Sequence, residues 1–101
     1  MRIISTKLRE SARGQDCTLR IPGVCNFNPE TTVLAHLPCG QKGVGMKSPD
    51  VMAVFACSCC HTFIDSHRFG ELTARHVLQA LAETMMVWVQ KGLIVIKGVI
   101  V

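Results

Sequence analysis

Ten residues, Ala56 to Asp65, read ACSCCHTFID and hold the densest group of reactive side chains in the chain. Cys57 and Cys60 form a C-x-x-C pair, the spacing that lets two thiolates converge from one tight turn on a single metal ion. Zinc takes four such ligands in a tetrahedron, so a second pair must come from elsewhere. Cys17 and Cys25 qualify, because the Pro22-Gly23 turn signal between them folds CTLRIPGVC back on itself as a looser C-x7-C pair. The expected site is Cys17, Cys25, Cys57 and Cys60 around a structural Zn²⁺. Cys39, in a turn-rich segment, competes for a place in it. Cys59 points elsewhere on any regular backbone and is expected as a plain buried thiol.

The same stretch continues with His61 and Asp65. If a helix starts just after the knuckle, residues four apart share one face, and the imidazole and carboxylate meet at a common point. Nitrogen and oxygen ligands on a rigid element suit a divalent cation. The competing account gives His61 to the knuckle, as its cap or a fourth zinc ligand, and leaves Asp65 a solvated helix residue.

These side chains need elements to hold them. TTVLAHL (31–37) has the β-branched start of a strand ending at Pro38, with His36 near its end. DVMAVFAC (50–57) reads as a second short strand entering the cysteine cluster. Between them PCGQKGVGMKSP (38–49) must be a loop, long for so small a chain. Upstream, TKLRESAR (6–13) is either a short helix or a loose arm, and NFNPETT (26–32) is a turn. Downstream, in GELTARHVLQALAETMMVWVQKG (70–92), Val77, Leu78, Leu81, Met85, Trp88 and Val89 recur at three- and four-residue steps. That spacing predicts an amphipathic helix with this face inward and a stop at Lys91-Gly92. Met85 and Met86 are expected as core filler. LIVIKGVIV (93–101) predicts a terminal strand. His67 and His76 have no motif partner and are expected at the surface or in structural roles, with His67 a reserve ligand.

A chain of 101 residues supports one small domain, read as 1–101 with a knuckle-and-hairpin core over 13–69 and a helix and strand over 70–101. Hydrophobic residues make up 49% and charged residues 18%, which excludes a disordered chain. Only 5% are aromatic, so the core must be aliphatic, and a core of that size gains from a metal staple. MRIISTKLRES offers no apolar run of signal-peptide length. GLIVIKGVIV is too short, and interrupted by Lys97, to span a membrane. A cytoplasmic location is expected, where clustered thiols stay reduced and serve metals over disulfides. The net charge of +4 permits an acidic partner such as nucleic acid.

AHLP at Ala35 to Pro38, a connecting loop and then CSCCHTFID resemble the HNH, or His-Me finger, endonucleases. More closely, CTLRIPGVCNFNPETTVLAHL, KSPD and ACSCCHTFID, in that order, resemble the small prophage YbcO-type nucleases, which are similar in turn to the phage recombination nuclease Ref. The likeness runs from Arg13 to Asp65, and the ordered combination is more specific than any single motif. It implies an α+β fold, a small ββα-metal (His-Me finger) domain in which a hairpin and a helix surround one catalytic divalent ion. Here a zinc knuckle, a C-terminal amphipathic helix and a terminal strand would extend that core. The resemblance makes His36 the general base and His61 with Asp65 the ligands of Mg²⁺ or Mn²⁺.

Two positions depart from the pattern. Many HNH enzymes carry an Asp or His ligand immediately before the base, where this chain has Ala35. The middle asparagine, which orients the base, has no counterpart at the usual spacing. Asp50, the nearest polar residue before the second strand, is the candidate for that role, with Asn26 and Asn28 as alternatives.

The implied activity is metal-dependent hydrolysis of DNA phosphodiester bonds by a phage- or prophage-derived endonuclease, in recombination or DNA processing, on single-stranded or branched DNA. Imidazole can take a proton from water near neutrality, and a divalent ion acts as Lewis acid on the phosphate. Lys42 and Lys47, on the glycine-bearing loop, are expected to meet backbone phosphates, contacts that carry no sequence information. Two other readings compete. One is a non-catalytic zinc-stabilised DNA-binding module on the same scaffold. The other is a small adaptor or homodimer that pairs through its terminal strand.

Overall fold

The strand expected to carry His36 forms as β1, Val33–His36, and pairs with β2, Ala53–Ala56, in an antiparallel hairpin. The computed structural model describes residues 4–37, 49–66 and 70–98. Around the hairpin it places α1 (Thr6–Glu10), a 3-10 turn at Pro29–Thr31, α2 (Ser58–Asp65) and α3 (Glu71–Gln90). The result is a small α+β fold with a two-stranded sheet and three helices.

Two strands alone are marginal in water, so this hairpin has to be covered. Its register sets Leu34 opposite Phe55, Ala35 opposite Val54 and His36 opposite Ala53. Alternation along each strand then sorts the side chains by face. Ala35, Val54 and Ala56 join Leu19, Ile21, Cys60 and Ile64 in one cluster, which α2 backs. Leu34 and Phe55 join Leu8, Ala12 and Trp88 in another, which α1 backs. There the rings of Phe55 and Trp88 meet edge to face, with centroids 6.1 Å apart.

The outer edge of β2 is closed by two threonines. Thr84 of α3 accepts from the Phe55 N–H through its hydroxyl at 3.2 Å. Thr18 gives its N–H (2.8 Å) and its hydroxyl (2.7 Å) to the Phe55 carbonyl. The Phe55 backbone groups that would otherwise template another strand are thus paired, and all four residues of β2 are buried.

Two expectations are corrected. The buried face of α3 is centred on Ala80, Thr84 and Trp88, with Val77 and Leu81 packed partly, while Leu78 is 70% exposed. Met85 and Met86 are also exposed and do not fill the core. The cause is closeness where α3 meets the strand edge: Ala80 and Thr84 occupy that line, Leu78 and Met85 fall to its flank, and Trp88 fills the second cluster. The tail is the second correction. Gly92, at φ 71, lets its N–H reach the Val89 carbonyl (3.1 Å) and the Leu93 N–H reach that of Trp88 (2.9 Å), a Schellman ending. Leu93 and Ile94 fold back onto the Trp88 cluster, and residues 93–98 are turns and coil where a strand was expected. The reversal turns the chain away before it can pair, and the outer edge of β2 is already taken. Among the described residues no helix is long and apolar enough to cross a membrane.

Candidate functional site

The cysteines come together through two local devices. The Ile21 carbonyl accepts from the N–H groups of Val24 and Cys25, both at 3.0 Å, around Pro22 and Gly23, whose φ of 74 a side chain would resist. This turn returns Cys25 toward Cys17. Cys57 follows β2 and caps α2, its sulfur accepting from the Cys60 N–H at 3.4 Å. The sulfurs of Cys17, Cys25, Cys57 and Cys60 lie within 4.8 Å of one another.

Their geometry and chemistry fit a zinc ion. The Cys25 and Cys57 sulfurs are 3.8 Å apart. A tetrahedron with Zn–S bonds of about 2.3 Å has edges of about 3.8 Å. Backbone N–H groups of Ile21, Asn26 and Phe27 point at the sulfurs of Cys60, Cys57 and Cys25, the outer support that thiolate ligands need. Burial opposes ionisation of Cys57, but the N–H groups of Asn26 and Cys60 and the neighbouring thiols bring it down to about 7. Burial pushes Cys25 up to about 11 and raises Cys60 as well. One thiolate is therefore favoured by the protein alone, and Cys25 and Cys60 call for a cation. Cys59 is exposed, with its sulfur 3.7 Å from Asn26 Nδ2, and is not the buried thiol expected. It faces outward on the first turn of α2 while Cys57 and Cys60 turn inward.

On the opposite face of the hairpin, His36 Nε2 lies 2.6 Å from Asp50 Oδ1. Asp50 is 1% exposed and crowded with donors. Its Oδ2 accepts from the Ser5 N–H (2.6 Å) and Arg9 Nε (3.0 Å), and its Oδ1 also accepts from Arg9 Nη2 (3.3 Å). Burial by itself would push this carboxyl up, but the bonds from His36, Ser5 and Arg9 outweigh it and hold it below the usual carboxylate range. An ionised Asp50 accepts from Nε2–H, so a neutral His36 carries its lone pair on Nδ1. Asn26 and Asn28 are engaged elsewhere. Asn26 bridges Thr31 and Ser58, and Asn28 caps the 3-10 turn by accepting from the Glu30 N–H at 3.1 Å.

On α2, His61 Nε2 lies 3.2 Å from Asp65 Oδ2, on a solvent-facing side one turn apart. A nitrogen and an oxygen at that separation can share one cation. Among the described residues, the four cysteines are the one group of three or more His, Cys, Asp or Glu side chains close enough to hold a single ion. His61 and Asp65 stay a pair, so water and phosphate would complete the shell of any ion there. Ala35 is buried beside Cys60 and Ile64, in the core that α2 covers. His76 gives Nδ1 to the Leu19 carbonyl at 3.0 Å, a structural role. Lys42, Lys47, Cys39 and His67 lie outside the described residues.

Sequence reasoning missed Ser5 and Arg9, which sit 45 and 41 positions from Asp50. Their one local signal is the serine before TKLRE, which caps α1 by accepting from the Leu8 N–H.

The profile of the family described as "Putative nuclease YbcO" matches residues 6–92. Two curated relatives, "Putative nuclease YbcO" of Escherichia coli (strain K12) and "Putative nuclease ybcO" of Enterobacteria phage 82, are each 47% identical over 91 residues, covering 86% of this chain and 95% of their own. A solved structure described as "Structure of a putative bacteriophage protein from Escherichia coli str. K-12 substr. MG1655" matches with a TM-score of 0.68 at 42% identity. That match covers 85% of this chain and 100% of the other.

Proposed function

The chain belongs to the family described as "Putative nuclease YbcO", and from that premise we propose that it is a metal-dependent endonuclease hydrolysing phosphodiester bonds in DNA. The observation that carries the reading is the 2.6 Å contact between His36, at the end of β1, and the buried Asp50. With Nε2–H held by Asp50, Nδ1 carries the lone pair that takes the proton of an attacking water. Asp50 fixes that tautomer and stabilises the imidazolium formed after the transfer. His61 and Asp65 hold a Mg²⁺ or Mn²⁺, which when bound supplies Lewis-acid stabilisation of the phosphate and the leaving oxygen. Cys17, Cys25, Cys57 and Cys60 hold a structural zinc. Lys42 and Lys47 meet the DNA backbone, so preference for single-stranded or branched DNA is set by shape. The succession β1, β2, α2 supports arranging these roles as in a His-Me finger. A phage function in recombination or DNA processing fits the family's phage members.

A second reading, the non-catalytic zinc-stabilised DNA-binding module, is favoured by one observation: His61 and Asp65 have no third ligand near them among the described residues. Nicking of supercoiled plasmid and cleavage of single-stranded DNA, with Mg²⁺, Mn²⁺ or EDTA, separate the two. Cleavage should require the divalent ion and fall by about 10²–10⁴-fold in His36→Ala, the span of a lost general base. Binding without cleavage by a folded, zinc-loaded wild type would select the module instead. Cleavage that survives in His36→Ala would remove His36 from the role of base.

A further inference from the structure

The helix that reaches the His36–Asp50 pair is α1, outside the strand–strand–helix unit. Arg9 lays a two-pronged fork on Asp50, Nε on Oδ2 at 3.0 Å and Nη2 on Oδ1 at 3.3 Å, while the Ser5 N–H adds a third bond. His36 and Arg9 therefore share Oδ1. Arg9 is half exposed, whereas Asp50 is buried, so the guanidinium closes the solvent side of the carboxylate. Taking His36 as the general base of the proposed nuclease, we infer that Arg9 is a positioning residue: it fixes the Asp50 carboxylate and offsets its charge, so that His36 is oriented through Nε2–H yet remains a neutral base.

Charge balance gives Arg9 this role. A buried carboxylate whose sole ionisable partner is an imidazole draws a proton onto that imidazole, because the ion pair relieves the uncompensated charge. An imidazolium has no lone pair and cannot accept a proton from water. Arg9 supplies the positive charge permanently, since guanidinium stays protonated at any working pH. Among the described residues, the remaining ionisable groups around β1 do not replace it. On α1, Lys7 and Glu10 are exposed. On α2, His61 and Asp65 pair with each other, Cys59 faces solvent and Cys60 belongs to the cysteine cluster. β2 contains no ionisable residue.

α1 does not depend on Arg9 for its seat. Leu8 is buried in the Phe55–Trp88 cluster, and Ser11 Oγ accepts from Trp88 Nε1 at 2.8 Å. Arg9→Gln, which keeps donors but no charge, and Arg9→Lys, which keeps charge but no fork, are therefore suitable variants. In Arg9→Gln the acid limb of the kcat/KM–pH profile should move up by about one unit, a tenfold loss at a pH on that limb. Activity should recover above it and KM should change little. Arg9→Lys should restore most of the profile. The pH at which the His36 ring signals change in NMR spectra should move upward in step in Arg9→Gln, and that reading needs no cleavage. If the wild type cleaves nothing while the ring signals still move, the coupling stands and the nuclease reading fails. An unmoved ring titration, or a loss of rate equal at every pH, would overturn the role assigned to Arg9.

Discussion

Asp50 gathers donors from three places in the chain: the Ser5 N–H, the Arg9 side chain and the His36 ring. Its carboxyl is held below the usual range in the folded chain, so it contributes stability that is present above the unfolded value and is lost as pH falls through the folded one. Asp50→Asn removes the charge and leaves Arg9 without its partner. Urea unfolding at pH 7 should show a loss of about 1.5–3 kcal/mol, the scale for hydrogen bonds to a charged group, since the Arg9 left behind is half exposed. The gap between wild type and Asp50→Asn should narrow below about pH 4, where an ordinary aspartate protonates. A gap independent of pH would mean that the cost is packing and not charge. At this scale the sequence was a partial guide. Asp50 could be picked out as the nearest polar residue before β2, but nothing local marks Arg9, whose partner is brought to it only by the packing of α1 on the hairpin.

Elements obey the same logic of pairing and closeness. The hairpin and α2 were legible because β-branched runs, Pro38 and the C-x-x-C spacing are local signals, and Cys57 adds the cap that starts α2 at Ser58. The inward face of α3 was misread at Leu78 and Met85, though not at Trp88, because periodicity weights bulky apolar residues. Here the contact is set by a hydroxyl: Thr84 is fully buried and satisfies the Phe55 N–H. Thr84→Val is nearly isosteric and leaves that donor unpaired, so it should cost about 1–3 kcal/mol in urea unfolding. Thr84→Ser, which keeps the hydroxyl, should recover most of it. If the two variants unfold alike, the hydroxyl contributes nothing and α3 holds the strand by packing alone. The tail was misread for a related reason, since a run rich in Ile and Val forms a strand only where an edge is open to it, and Gly92 reverses the chain first.

Taken whole, the chain surrounds four residues of β2 with material from both ends, and its cysteine cluster ties residues 17–25 to the start of α2. Arg20 extends that tie by gripping Glu83 of α3 at 2.9 and 2.5 Å. Zinc bound there would cross-link separate parts of a small core, and its binding free energy would be folding free energy. The purified protein should carry one zinc per chain. A strong chelator, or Cys57→Ser, should abolish cooperative thermal unfolding, while Cys59→Ser should leave both metal and transition intact. A metal-free wild type melting as the loaded one does would remove zinc from the account of stability. One further bond acts on the same scale. Trp88 Nε1 and Ser11 Oγ join positions 77 apart. A ribosome adds residues in order, so His36, Asp50 and His61 are all made before the indole that seats α1. The nascent chain therefore lacks the bond that seats α1 beside the His36–Asp50 pair until α3 has been made.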